Sequence, residues 1–156
     1  MSVADPILIS LDVRHATSIL DGRKIVEFRR RPMNVLPGAT IWIYAKRPVG
    51  SVVGRASVVA VHTQAPSTLW RKFAAVSGIS RGEFREYFDG ASQGTAIELT
   101  DCRRLSASVP LELLRAFSAG FQPPQFFVRL RQGTPLLMAI SKRDLEPASR
   151  GQLASS

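Results

Sequence analysis

The chain has 156 residues, 45% apolar and 21% charged, which suits one globular core and excludes an intrinsically disordered polypeptide. Its 21 Lys and Arg against 12 Asp and Glu leave a formal net charge of +9, so polyanions are natural partners, although the same charge also serves solubility. Cys102 is the single cysteine, which excludes an internal disulfide and a cysteine-built metal cluster, and no apolar run approaches the roughly 20 residues of a bilayer span. With no basic segment and apolar core at Met1 to Asp5, the expectation is a cytoplasmic protein without a membrane partner.

Ile7 to Leu11 is an apolar run of strand length that opens the sheet. Asp12 stands where it can cap an amphipathic helix over Val13 to Leu20, and Gly22 stops it. Lys24 to Arg31 reads as a strand ended by Pro32. Alternation puts Lys24, Val26, Phe28 and Arg30 on one face and Ile25, Glu27, Arg29 and Arg31 on the other. After the turn-forming Pro37-Gly38, Thr40 to Ala45 reads as a central strand and Val52 to His62 as a longer one, so that the three strands suggest a meander or barrel wall.

Between Pro66 and Gly90 the period turns helical: Ser67 is placed to cap a helix carrying Leu69, Trp70, Phe73 and Val76, and Ser80 opens another carrying Phe84, Tyr87 and Phe88, with Gly78 between them. Thr95 to Leu99 and Arg103 to Ala107 return to strand character, Pro110 to Phe117 is a short helix, and Phe126 to Leu130 and Leu136 to Ile140 are read as strands able to close the sheet. Residues 1–146 form a single domain on this reading and 147–156 a flexible tail with little to bury. The alternation of helices with mainly antiparallel strands makes the class α+β.

The concentration of charge at Lys24, Glu27, Arg29, Arg30 and Arg31 is the first candidate site. It is either an ion-paired surface strand or the basic edge of a cleft, where arginine forks grip phosphate. Tyr44 can offer a stacking platform for an unpaired base or sit in the core with its hydroxyl satisfied, and Lys46 and Arg47 follow it. Trp70, Phe73, Phe84 and Phe88 have core spacing, while Arg81 and Arg85 share a helix face that can extend a phosphate track. His15 and His62 lack partners at metal-ligand spacing and are read as surface or cleft histidines, so neither a metal nor another cofactor is expected. No phosphate-binding glycine loop surrounds Gly50 or Gly54.

An ordered set of segments resembles the ASCH domain family: Ile9-Ser10-Leu11, Ile19-Leu20-Asp21-Gly22-Arg23-Lys24, Glu27-Phe28-Arg29-Arg30-Arg31, Ile43-Tyr44-Ala45, Pro48-Val49-Gly50, Val53-Gly54 and Pro123-Pro124-Gln125, spanning residues 7–131. The resemblance implies a PUA-like, mixed but mainly antiparallel β-barrel with flanking helices and a cleft for RNA or a modified nucleoside. It departs from the family pattern at Asp12, where a basic residue is common, and at Phe126, where a Ser is common. In the branch similar to acetylcytidine amidohydrolases a Thr stands three residues after the Lys, and Glu27 stands there after Lys24.

The leading expectation is RNA or other single-stranded nucleic-acid binding, with Arg29, Arg30, Arg31, Lys46, Arg47 and Gln125 on phosphates or base edges and Tyr44 stacking. The alternative is a small hydrolase, a ribonuclease or an amidohydrolase of a modified nucleoside, using Lys24 to activate water with Glu27 and Tyr44 beside it. A regular strand would point Lys24 and Glu27 apart unless the turn at Gly22 rotates Lys24 round. A protein-interaction adaptor would leave the charge unexplained. RNA, a single-stranded nucleic acid or a modified nucleoside is therefore the expected partner; oligomeric state is open.

Overall fold

Apolar side chains on both faces of a strand require cover on both sides, and this requirement organises the computed structural model, which describes residues 5–144. Strand β1 (Ile7–Leu11) is buried throughout, with Ile7, Ile9 and Leu11 in one core and Leu8 in another. Helix α1 (Val13–Leu20) follows, then β2 (Val26–Arg29), β3 (Thr40–Ala45) and β4 (Ser51–Gln64). Helix α2 (Pro66–Phe73), a 3-10 turn at Ala74–Val76 and helix α3 (Arg81–Tyr87) separate β4 from β5 (Gly94–Pro110). Helix α4 (Leu111–Phe117), β6 (Phe127–Arg129) and a helix α5 over residues 135–144 complete the described chain.

The strands form one sheet in the order β2-β5-β4-β3-β1-β6, with β1 and β3 parallel and every other pair antiparallel. Register shifts between Val52/Gly54, Arg55/Ser57 and Val58/Ala60 interrupt the long β4–β5 ladder. Such irregularities bend strands, and the sheet curls into a half-barrel. The α+β, PUA-like architecture expected from the sequence is therefore the one observed.

Ala16, Ile19 and Leu20 of α1 pack on one face of the curl. Leu114 of α4 and Leu136, Leu137 and Ile140 of α5 cover another, and Leu69, Phe73, Phe84 and Phe88 of the α2–α3 pair cover a third against Val26 and Phe28. Gly54 lets α1 come close: a Cβ there would lie 2.4 Å from Leu20 Cδ2 and 2.6 Å from the Arg103 carbonyl.

Several sequence expectations change. The segment Leu136 to Ile140 is helical, and its buried Leu136, Leu137 and Ile140 have the spacing of a helix face, an ambiguity inherent to short apolar runs. β2 does not pair with β3 in a meander; it crosses to the far edge and pairs with β5, as Val26 opposite Glu98 through Arg29 opposite Thr95. The two strands placed at Thr95 to Leu99 and Arg103 to Ala107 are one, kinked where Asp101 takes a positive φ of 51°. Helix α2 starts at Pro66, with Ala65 rather than Ser67 at its N-cap, because proline's fixed φ suits a first helical turn. Asp12 holds the N-cap position of α1, but its side chain makes no cap bond and instead lies 3.6 Å from Lys46. Ser80 caps α3 in a reciprocal capping box with Glu83. The tail 147–156 and the boundary at 146 lie outside the described residues.

Candidate functional site

A half-barrel has two free edges, and here they are β2 and β6. The seam between them is bridged by Arg29, whose guanidinium donates to the carbonyls of Phe126 (3.3 Å) and Ser10 (3.5 Å), one preceding β6 and the other in β1. Arg29 is held from behind by Glu27, with Nε 3.2 Å from Oε2. Glu27 Oε1 in turn lies 3.6 Å from Lys24 Nζ, which donates to the Ser77 carbonyl at 2.6 Å. Lys24 stands before β2 begins, so it escapes strand alternation: the turn through Gly22, at φ 82°, swings it onto the side of Glu27. With Lys24 2% and Glu27 and Arg29 each 8% exposed, this chain of charges is desolvated. Burial pushes the Lys24 ammonium below its ordinary pKa, against the upward pull of Glu27.

This chain floors a cleft of about 340 Å³ at the seam, whose walls are Ser10, Arg14 and His15 on one side and Glu83 and Tyr87 of α3 on the other. Arg14 and Glu83 form an ion pair across the mouth, joining α1 to α3, and hold the Glu83 carboxyl down to about 2. Three polar atoms on lining residues are buried without a hydrogen-bond partner among the described residues: Ser10 Oγ, His15 Nδ1 and Arg29 Nε, the last within ion-pair distance of Glu27. Burial, then the nearby Lys24, pushes the His15 imidazole below its ordinary value. Such orphaned atoms are uncommon in a settled core and common where a ligand or water completes the site.

Two further hollows flank the cleft. One, of about 300 Å³, shares Arg29 and Tyr87 with it and adds Arg30, Arg31, Gln125 and Phe126. The other, of about 340 Å³, shares Ser10 and Lys46 and adds Tyr44, Arg47, Arg115 and Gln125. The three thus form a continuous concave tract with Gln125 common to both flanks.

The residues singled out from the sequence fall into three groups along this tract. Lys24, Glu27 and Arg29 meet on the floor. Arg30, Arg31, Lys46, Arg47 and Gln125 are exposed on the rims. Arg30 is fastened by bonds to the carbonyls of Tyr87 and Asp89 (both 2.9 Å), and Lys46 faces Asp12. Arg31 and Arg47 have no acidic partner among the described residues. Tyr44 stands apart: at 3% exposure its ring is part of the core beneath α4 and α5, which leaves no open face for stacking, and it reaches only the edge of one hollow. Tyr87, 41% exposed, is the most open aromatic residue of the tract, ahead of the half-buried Phe126.

Sequence reasoning passed over Ser10, Arg14, Glu83 and Tyr87 as site residues and left His15 undecided. The only local signals were the Ser within an otherwise aliphatic strand and a tyrosine off the buried face of its helix. Among the described residues no group of three or more His, Cys, Asp or Glu is arranged to hold a metal ion, and no helix is long and apolar enough to cross a membrane.

Comparison with known proteins places this geometry in a family. The ASCH domain model matches residues 9–106. An ASCH domain-containing ribonuclease of Zymomonas mobilis subsp. mobilis is 40% identical over 126 residues, which cover 80% of this chain and 84% of that protein. The crystal structure of ASCH from Zymomonas mobilis superposes with a TM-score of 0.83 at 36% identity, covering 88% of this chain and 94% of that one. The human THYN1 protein, crystallised with DNA containing 5-methylcytosine, shares the fold alone, with a TM-score of 0.55 at 9% identity over 90% of this chain and 98% of that one. The family model's span and the Zymomonas relative's identity across most of both chains establish that this chain belongs to the ASCH domain family.

Proposed function

We propose that the seam cleft binds single-stranded RNA, with one unstacked nucleotide seated in the cleft and the neighbouring phosphates on the rims. The observation that carries this reading is the pairing of unpartnered polar atoms inside with unpaired cations outside. Ser10 Oγ and His15 Nδ1 lack hydrogen-bond partners among the described residues, while Arg31 and Arg47 stand on opposite flanking hollows. A base edge supplies hydrogen bonds to the first pair once these side chains turn toward the cleft, and a phosphodiester backbone supplies charge to the second. An unpaired strand suits a recessed pocket better than a duplex, whose base edges are engaged. The desolvated Lys24–Glu27–Arg29 chain holds the floor rigid and presents fixed charge close to the ligand without reorganisation.

A second reading, RNA cleavage in the same cleft, is favoured by the relative named a ribonuclease and by His15, whose depressed pKa leaves a neutral imidazole at neutral pH. In this reading His15 takes the proton of a ribose 2′-hydroxyl and the 2′-oxygen attacks the adjacent phosphorus. The bond to the 5′-oxygen breaks, water protonates the departing oxygen, and a 2′,3′-cyclic phosphate remains. Lys24, Arg29 and Lys46 offset the charge gathering on the phosphorus oxygens.

The test is affinity for oligouridylate against salt. Wild-type protein should show a steep loss of binding with rising salt, and Arg31→Ser with Arg47→Ser should flatten the slope by about 1.4, at about 0.7 for each phosphate no longer neutralised. Absence of RNA affinity at low salt overturns the reading. For cleavage, His15→Gln should abolish product while affinity stays within a few-fold; unchanged turnover would remove the base from His15.

A further inference from the structure

Helix α3 separates two concavities. Glu83 and Tyr87 on one side line the seam cleft, whereas Arg81, Phe84 and Arg85 on the other line a second hollow of about 570 Å³ formed with Trp70 and Arg71 of α2 and with Phe88. Its walls are a run of rings: Trp70 and Phe84 have centroids 4.9 Å apart, and Phe84 and Phe88 4.7 Å. Phe84 and Phe88 are buried, but Trp70 is only half-covered. A large indole left partly open between two helices is an incomplete stack with room beside it.

The rim of this hollow is basic. Arg71, Arg81 and Arg85 are exposed, and none has a carboxylate or hydrogen-bond partner among the described residues, in contrast to Arg14, Arg23, Arg55, Arg103 and Arg104, which all form ion pairs. Arg81 and Arg85, four residues apart, project from one face of α3, and Arg71 stands across the hollow on α2. Among the described residues Asp89 is the only acid lining it. Packing of the α2–α3 pair on the sheet explains the buried phenylalanines and the covered side of Trp70; it does not explain the open side of the indole or three neighbouring guanidiniums without an ion pair among the described residues.

We propose that this hollow is a second nucleotide subsite, in which Trp70 stacks a base of the same RNA strand that enters the seam cleft while Arg71, Arg81 and Arg85 hold the phosphates beside it. The inference rests on the RNA reading of the cleft and extends it by a binding step over α3. An apolar wall with one open aromatic face and a rim of free arginines matches the alternating chemistry of a single strand, flat base then anionic phosphate. An acidic peptide would match the rim and leave the indole poorly used, which is why the strand is preferred. The arrangement also accounts for placing a helical insert between β4 and β5: α3 becomes the shared wall over which the strand crosses.

The experiment compares oligouridylates of about 4 and about 12 nucleotides, the lower and upper parts of the range that one small barrel engages. Arg71→Ser, Arg81→Ser and Arg85→Ser combined, all at exposed positions, should weaken the 12-mer by about 10- to 100-fold. The salt slope should fall by about 2, at about 0.7 per phosphate, with the 4-mer unchanged. The 12-mer should also quench tryptophan fluorescence, and Trp70→Phe should remove that quenching. Equal binding of the 12-mer by wild type and the triple variant overturns the subsite and leaves the cleft reading standing. Loss of both oligonucleotides from wild type overturns both readings. Quenching by an acidic peptide but not by the 12-mer would assign the hollow to a protein and overturn this proposal.

Discussion

Lys24 Nζ and Glu27 Oε1 lie 3.6 Å apart although an unbroken strand would send residues three positions apart to opposite faces. The ammonium is bonded to the Ser77 carbonyl, and the carboxylate is shared with Arg29. Removing one member therefore strands the others in a desolvated site. Glu27→Gln should cost about 3 kcal/mol, the scale for breaking a buried ion pair, while Lys24→Met added to Glu27→Gln should cost less than the sum of the single changes. Urea denaturation of the three variants measures the coupling; strictly additive values would show that the pair does not act as a unit.

The pH dependence has a defined sign. His15 and Lys24 are both depressed in the folded protein, from 6.5 and 10.5, chiefly by burial. The unfolded chain then binds protons more tightly, so stability rises with pH between each depressed value and its ordinary one. His15→Gln should flatten the loss of stability on acidification below 6.5, and Lys24→Met the gain on approach to 10.5. Denaturant midpoints across pH, wild type against each variant, give the check.

Gly54 sits under α1 with no room for a methyl group: a Cβ would meet the Leu20 side chain and the Arg103 carbonyl, and the carbonyl belongs to the β5 backbone and cannot swing aside. Gly54→Ala should destabilise by roughly 1–3 kcal/mol, the cost of overpacking. It should also shift α1, and His15 with it, so that the RNA affinity proposed for the cleft falls along with stability. A thermal-melt series with RNA titrations reads both effects.

Asp144, 6% exposed, accepts from Arg103 Nε and a second Arg103 nitrogen at 3.0 Å each, and from Arg55 at 3.3 Å. Its carboxylate pins α5 to β4 and β5. Asp144→Ala leaves two guanidiniums without this partner and should cost about 3 kcal/mol. Hydrogen exchange should show α5 losing protection before the sheet does, since the seam cleft lies elsewhere. Uniform loss of protection across the chain would contradict a local latch.

Much of the fold was legible because its signals are local. Ile7 to Leu11 and Thr40 to Ala45 are continuous apolar runs of strand length, Ser80 and Glu83 stand at capping-box spacing, and Gly22 marks a turn that uses its positive φ. Leu136 to Ile140 was misread since an apolar run that short satisfies either period. The pairing of β2 with β5 was invisible for another reason: partner choice depends on how the sheet curls, and the register shifts that curl it leave little trace in β4 or β5.

By itself, the order of residues determined the α+β class, the excess of positive charge, the family resemblance and the shared strand face of Glu27 and Arg29, all properties of composition or near-neighbour spacing; that Lys24 joins them was decided by the turn at Gly22. Only the tertiary structure decided that Ser10, His15 and Tyr87 join that cluster, that Tyr44 is buried away from it, and that a second basic hollow lies behind α3. The cleft exists because the two edges of a curled sheet stop short of each other and Arg29 spans the gap. A contact between residues far apart in the chain follows from curvature and packing summed over the whole sheet, which no local window of sequence encodes.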